Sequence, residues 1–339
     1  MNFSGEQKEL FVHANDLRYN GQSQGHYESY FLRANHPSRP LAFWLRYTIF
    51  SPRSHPEQAI GEVWAIWFDG EKKQNVATKV EVPFSQSHFA KDRFEVSCAG
   101  AQLNAKELSG FLSSKGQTIS WSLNYVGDQA PALFFAPKLY KTKFPAAKVV
   151  SSLPLAVFNG EFSVNGEKMD IRNWVGSQNH NWGFKHTDRY AWGQVCGFDN
   201  APESFLEVGS AKLKLGPIWT PFMTSVVLRH GGREYALNTI GQALKAKVLS
   251  FRYFNWEFSS SDDQIEIQGR IHAEASQFVG LNYYNPPGGN KHCLNSKLAH
   301  CELTIHDKQR GKSETLTTQH RAAYEIITDE RNHGIEIKA

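Results

Sequence analysis

Cysteine, methionine and long apolar runs are what this chain has little of, and each scarcity removes a class of protein. The four cysteines, Cys98, Cys196, Cys293 and Cys301, are too few and too dispersed for a disulfide framework, and no CxxC or Cys/His ligand spacing joins them. They read as reduced core thiols. Fourteen histidines are present, yet no pair has helix or hairpin ligand spacing with a carboxylate beside it, so no metal site is expected. No stretch of about 18 apolar residues offers a membrane span. The opening MNFSGEQKELFVHANDLRYNG lacks the apolar run of a signal peptide. Both point to the cytoplasm, with peripheral membrane contact left open. No Gly-rich phosphate loop or dinucleotide fingerprint occurs, which argues against NAD, FAD and ATP, so no cofactor is expected. Block charge is absent too: the net charge is +4, with Lys and Arg scattered, and no nucleic-acid patch emerges.

What is abundant is aromatic. Phe, Trp and Tyr make up 13% of the 339 residues, a surplus that suits sheets and apolar pockets. The length exceeds the usual single core, so two domains are expected. Residues 1–25 are polar and read as irregular or one short helix. From His26 the text turns β-like. In LAFWLRYTIF (Leu41–Phe50) alternation puts Phe43, Leu45, Tyr47 and Ile49 on one face and Trp44, Arg46 and Thr48 on the other, as in a barrel wall with a partly polar lumen. GEVWAIWFDG places Glu62, Trp64 and Ile66 opposite Val63, Ala65 and Trp67. Glu62 and Arg46 suggest either a buried ion pair inside the first barrel or a substrate contact. Turn-punctuated short strands follow, with weak helical periodicity, so the chain reads as all-β, an antiparallel meander closed into barrels. Residues 128–156, with four prolines, read as a long connection. A second β domain is expected from near residue 185, dividing the chain into 1–185 and 186–339. No internal sequence repeat is visible.

The densest stretch is Asp170–Phe198, DIRNWVGSQNHNWGFKHTDRYAWGQVCGF. Extended from Trp174 to Trp182, it carries Trp174, Gln178, His180 and Trp182 on one face and Ser177, Asn179 and Asn181 on the other. That sets an imidazole between aromatic planes, and both His180 and Gln178 must find hydrogen-bond partners once buried.

Together GHYESYFL, FWLRYTIF, GEVWAIWF, GSQNHNWG, YAWGQV and YYNPPGG with CLNSKLA resemble the lipocalin-like superfamily that holds hydroxyneurosporene synthase (a carotenoid hydratase), tocopherol cyclase and AttH-like proteins. The match is most specific at His180, Asn181, Trp182 and Gly183. The resemblance implies two calycin-type (lipocalin/streptavidin-like) β-barrels side by side, an apolar isoprenoid or polyene ligand near their junction, and lyase or isomerase chemistry begun by a proton.

Such chemistry needs a strong acid in a dry pocket and aromatic faces for the cation, each worth about 2 kcal/mol when desolvated. Trp182, Trp192, Trp174 and Trp64 are the candidate rings. His180, or a carboxylic acid kept neutral by burial, is the candidate acid. Some relatives carry an acid directly before the HNWG core, where this chain has Asn179. Glu207, sharing a strand face with Phe205 and Gly209, is the replacement. Gln178 and Asn179 are candidate ligand contacts. Asn295 and Lys297 either bridge their loop to the central stretch or offer donors to a polar end of the ligand. Cys293 has His292 beside it but on the opposite face, which argues against a nucleophile. A lipocalin-like carrier or sensor of the same ligand remains the alternative to an enzyme.

Overall fold

Runs rich in β-branched and aromatic residues, alternating in polarity, favour pleated and half-buried strands. A computed structural model, describing residues 1–339, is built from them almost throughout. The strands that position the site are β1 (His26–Asn35), β2 (Leu41–Ser51), β3 (Ile60–Asp69), β4 (Ala147–Val164), β5 (Glu167–Gly183), β6 (Arg189–Cys196), β7 (Phe205–Lys212), β8 (Asn290–Asp307) and β9 (Lys312–Thr328). They belong to two large antiparallel sheets, β1 to β5 in one and β6 to β9 in the other.

In each sheet the strand that opens the half pairs with the strand that closes it: β1 with β5, and β6 with β9. Each closing strand is also the second arm of a long hairpin. The β4–β5 arms have 18 and 17 residues, as do the β8–β9 arms. The duplication is therefore one of strand order, without a repeat in the text. At the β4–β5 turn, Asn165 and Gly166 have φ of 52° and 86°, the left-handed pair that a two-residue hairpin requires.

Both sheets curl around an apolar interior. In the first, the strand Gln74–Pro83 packs over Glu107–Ser114 and Gln117–Val126, enclosing Phe43, Leu45, Tyr47, Val63, Trp121 and Phe158. In the second, Met223–His230 approaches Asn255–Ser261 around Val208, Val226, Trp256, Ile271 and Tyr324. This is the all-β, two-barrel, calycin-like architecture. A third apolar cluster lies between the sheets, with Trp44, Trp64 and Phe68 against Trp192, Tyr283, Cys293 and Ile327.

Two expectations are corrected here. The Trp44–Arg46 face of β2 looks outward to the junction, because it is the opposite face, with Phe43, Leu45 and Tyr47, that fills the interior. The proline-rich connection is shorter than 128–156: β4 starts at Ala147 and runs through Pro154, where register shifts between Val150 and Ala156 release the ladder from a residue without an N–H. No helix is long and apolar enough to cross a membrane.

Candidate functional site

A cavity of about 170 Å³ opens at the junction of the two sheets. Phe31, Trp44, Phe134, Trp192 and Met223 give it apolar walls. Strand alternation delivers the rest: Arg46 follows Trp44 by two on β2, Asn181 stands on β5, and Tyr190 precedes Trp192 by two on β6. Trp192 pairs with Gly209 of β7 on one side and Glu325 of β9 on the other. A side chain at position 209 would lie 2.8 Å from the ring of Phe134, so glycine keeps the wall open.

Glu325 is the sole acid on this wall. Its Oε1 accepts from Lys297 Nζ at 2.7 Å and from Asn295 Nδ2 at 3.0 Å, both from β8. Lys297 is wholly buried, and burial pulls its pKa down against the pull of the Glu325 carboxylate. Asn295 and Lys297 thus stand one step behind the cavity, holding the residue that faces it. Cys293 has its Sγ 3.9 Å from Glu325, and burial pushes its thiol far up, away from thiolate chemistry.

Glu207 is also wholly buried, but its carboxyl sits behind Trp192 and not on the wall, which corrects the expectation that it projects into the pocket. Its Oε1 accepts from Trp192 Nε1 at 3.1 Å, and Oε2 lies 2.9 Å from Ser151 Oγ. The surrounding network reveals its protonation. Ser151 Oγ lies 2.8 Å from Asn179 Oδ1 and accepts from Gln194 Nε2. An oxygen pair that close needs a hydrogen, and only Ser151 can supply it. Ser151 has then no proton left for Glu207, so the proton on that contact belongs to Glu207. Burial agrees, raising its pKa from 4.5 to about 7.

A stability prediction follows from that shift. Unfolded, the carboxyl titrates near 4.5; folded, near 7. Its favourable contribution is therefore full below about pH 4.5 and lost as pH rises through 7. Glu207→Gln keeps an acceptor for Trp192 and never ionises. The variant should gain on wild type between pH 5 and pH 8, by roughly 3 kcal/mol at the top of that window, measured by urea unfolding at each pH. A gap that does not change with pH would show Glu207 already ionised in the folded protein.

His180 is wholly buried and lies off the cavity. It is stacked against Tyr30 at 4.4 Å and lies 4.7 Å from Trp182. Its Nδ1 meets the Ala14 carbonyl at 2.8 Å and its Nε2 meets Glu28 Oε1 at 2.8 Å. Both partners are acceptors, so both ring nitrogens carry protons. Glu28 also accepts from the backbone N–H groups of Arg18 and Tyr19 and from His26 Nε2. Burial alone would raise its pKa, but the hydrogen bonds from His180 and His26 outweigh it and bring it down to about 2.

The other expected residues are dispersed. Trp182 packs beside Tyr140 and under Arg18, and Gln178 exchanges hydrogen bonds with Asn15. Trp174 belongs to the first barrel's interior. Asn179 ties Ser151 to Gln194 across the seam between the sheets. Trp64 packs at the junction beside Tyr283, off the cavity wall. Glu62 pairs with Lys79 at 2.6 Å, not with Arg46. Of the residues expected to form the site, Arg46 and Trp192 line the cavity, joined there by Trp44 and Asn181.

A family model described as tocopherol cyclase-like matches residues 24–326. Among solved structures, an AttH-type protein of Nitrosomonas europaea superposes with a TM-score of 0.57 at 11% identity, covering 92% of this chain and 96% of that one. Kievitone hydratase of Nectria haematococca gives 0.55 at 11% identity, over 92% and 93%. CghA with Sch210972 gives 0.57 at 11% identity, over 92% and 90%. At that identity the likeness is one of fold. No curated protein matches the sequence.

Proposed function

We propose, on the premise that the chain belongs to the tocopherol cyclase-like family, that it is a cofactor-independent enzyme of the hydratase or cyclase kind. Its substrate is a largely apolar, alkene-bearing small molecule, such as a prenylated phenol, held at the junction of the sheets. The observation that carries this reading is the single carboxylate, Glu325, facing an aromatic-walled cavity beside the Trp192 indole. The names of two structural neighbours, a hydratase and a protein solved with a small molecule, support it.

Adding an O–H bond across an isolated alkene requires an acid in a dry site. Burial pulls the Lys297 pKa down, so once the ligand has displaced water its ammonium passes a proton across the 2.7 Å contact to Glu325. Glu325 gives this proton to one alkene carbon and becomes carboxylate. The cation formed on the other carbon faces the indoles of Trp192 and Trp44. A water oxygen, or the substrate's own hydroxyl, bonds to that carbon. Its proton returns to the carboxylate–amine pair, which restores the starting state. Phe144 and Ile240 line the cavity while standing partly exposed, an apolar mouth suited to such a ligand. The same proposal treats residues 1–185 and 186–339 as two folding units, as the duplicated strand order supports, with the reacting groups drawn from both.

The test is turnover of a prenylated hydroquinone in D2O. The expected product carries one carbon-bound deuterium that survives back-exchange, detected by mass spectrometry. Tight binding with no deuterium gained would leave a carrier in place of an enzyme.

A further inference from the structure

Arg46 is a buried cation without a counter-ion. The residue is 4% exposed, its Nε donates to Ser29 Oγ at 2.9 Å, and its guanidinium lies 4.3 Å from the Tyr283 ring centre. The nearby acids are committed elsewhere, Glu62 to Lys79 and Glu325 to Lys297. Neither terminal amino group makes a hydrogen bond to the protein, and the side chain lines the cavity.

The groups around it are unpartnered in the same way. The hydroxyls of Tyr27 and Tyr190 make no hydrogen bond within the protein, that of Tyr283 has the Cys293 sulfur beside it, and burial pushes all three phenols far up, so they keep their protons. Asn181 Oδ1 is buried without a partner. His186 spends Nε2 on the Tyr284 carbonyl at 3.2 Å and keeps Nδ1 free, and burial lowers its pKa to about 3, so it is neutral. Lys148, a second cation on the wall, meets only the Pro145 carbonyl. Desolvated charges and hydroxyls left unpaired are costly, and folded proteins keep them where a ligand completes the set.

We propose that this end of the cavity binds an ionised oxygen of the ligand, a carboxylate, enolate or phenolate, on the two terminal amino groups of Arg46 with the tyrosine hydroxyls closing around it. The proposal rests on the cavity being the ligand site. It narrows the substrate to an apolar body with one anionic oxygen head, anchored so that the body extends toward Trp192 and Glu325. A planar guanidinium presents paired N–H donors that match such oxygens.

The experiment measures binding without turnover, by calorimetry at pH 7, with 3-phenylpropanoate and its neutral amide as probes. Wild type should prefer the acid by about tenfold or more. Arg46→Met should abolish the preference while holding the amide within about twofold of wild type, and Arg46→Lys should keep part of it. The Met variant should melt no lower than wild type, because it removes an unpaired buried charge. 4-Nitrophenol separates the sources. Growth of its yellow anion on binding, lost in Arg46→Met, supports a phenolate head; a carboxylate preference without that colour supports a carboxylate head. Equal binding of acid and amide, or a preference that survives Arg46→Met, would overturn the subsite and leave the cavity reading standing. If neither probe binds, the cavity reading itself falls.

Discussion

Glu325→Gln is expected to lower kcat by about 10²–10⁴, the usual worth of a positioned general acid–base group, while ligand affinity stays within a few-fold. The amide keeps the shape of the wall and an oxygen for Lys297 and Asn295, so what it removes is the exchangeable proton. Turnover of the prenylated hydroquinone and Trp192 fluorescence on ligand binding separate the two effects. Glu207→Gln is the contrast. Its carboxyl, with a pKa raised to about 7 by burial, lies behind the Trp192 indole and braces it with a hydrogen bond that glutamine can keep, so kcat should change far less. Full activity in Glu325→Gln with activity lost in Glu207→Gln would move the proton donor to the residue behind the indole.

The faces of β2 and β3 were legible in the sequence because period two fixes them whatever the fold does. Which face meets a cavity was not, since that depends on the second sheet. Alternation correctly sets Ser177, Asn179 and Asn181 apart from Gln178 and His180. The three were the less conspicuous set, yet they turn to the other sheet, where Ser177 and Asn179 join the polar seam and Asn181 reaches the cavity. Glu207 shares its face with Gly209 as expected, but the ring of Trp192 on the neighbouring strand covers it. Glu325 is not legible as a site residue in the sequence, because one acid in AAYEIIT resembles a solvated strand position. A signal was present: Ala323 and Ile327 flank it on its own face, so the acid stands on an apolar stripe. Its partners Asn295 and Lys297 were visible as polar residues alternating on one strand, and their convergence on a third residue required the fold.

His180, the most conspicuous residue of the densest stretch, is expected to act through stability. His180→Ala should cost about 3–5 kcal/mol, the usual result of removing one partner of a buried ion pair, with activity per folded molecule unchanged. Glu28 would remain buried with the backbone of Arg18 and Tyr19 and with His26, but without its shortest side-chain partner, and the Ala14 carbonyl would lose its donor. The segment from Ala14 to Tyr19 is held to β1 through these bonds, so its amides should exchange faster with deuterium in the variant. The acid limb gives a second signature. Glu28 titrates near 2 folded against 4.5 unfolded, so its contribution is present above pH 4.5 and lost as pH falls toward 2. Without His180, burial is no longer outweighed, and the loss on acidification should be shallower. An unchanged melting temperature with turnover abolished would give His180 a direct part in the chemistry, in spite of its distance from the cavity wall. A lower melting temperature with normal turnover by the folded fraction would identify the imidazolium as the tie between the N-terminal segment and the first sheet.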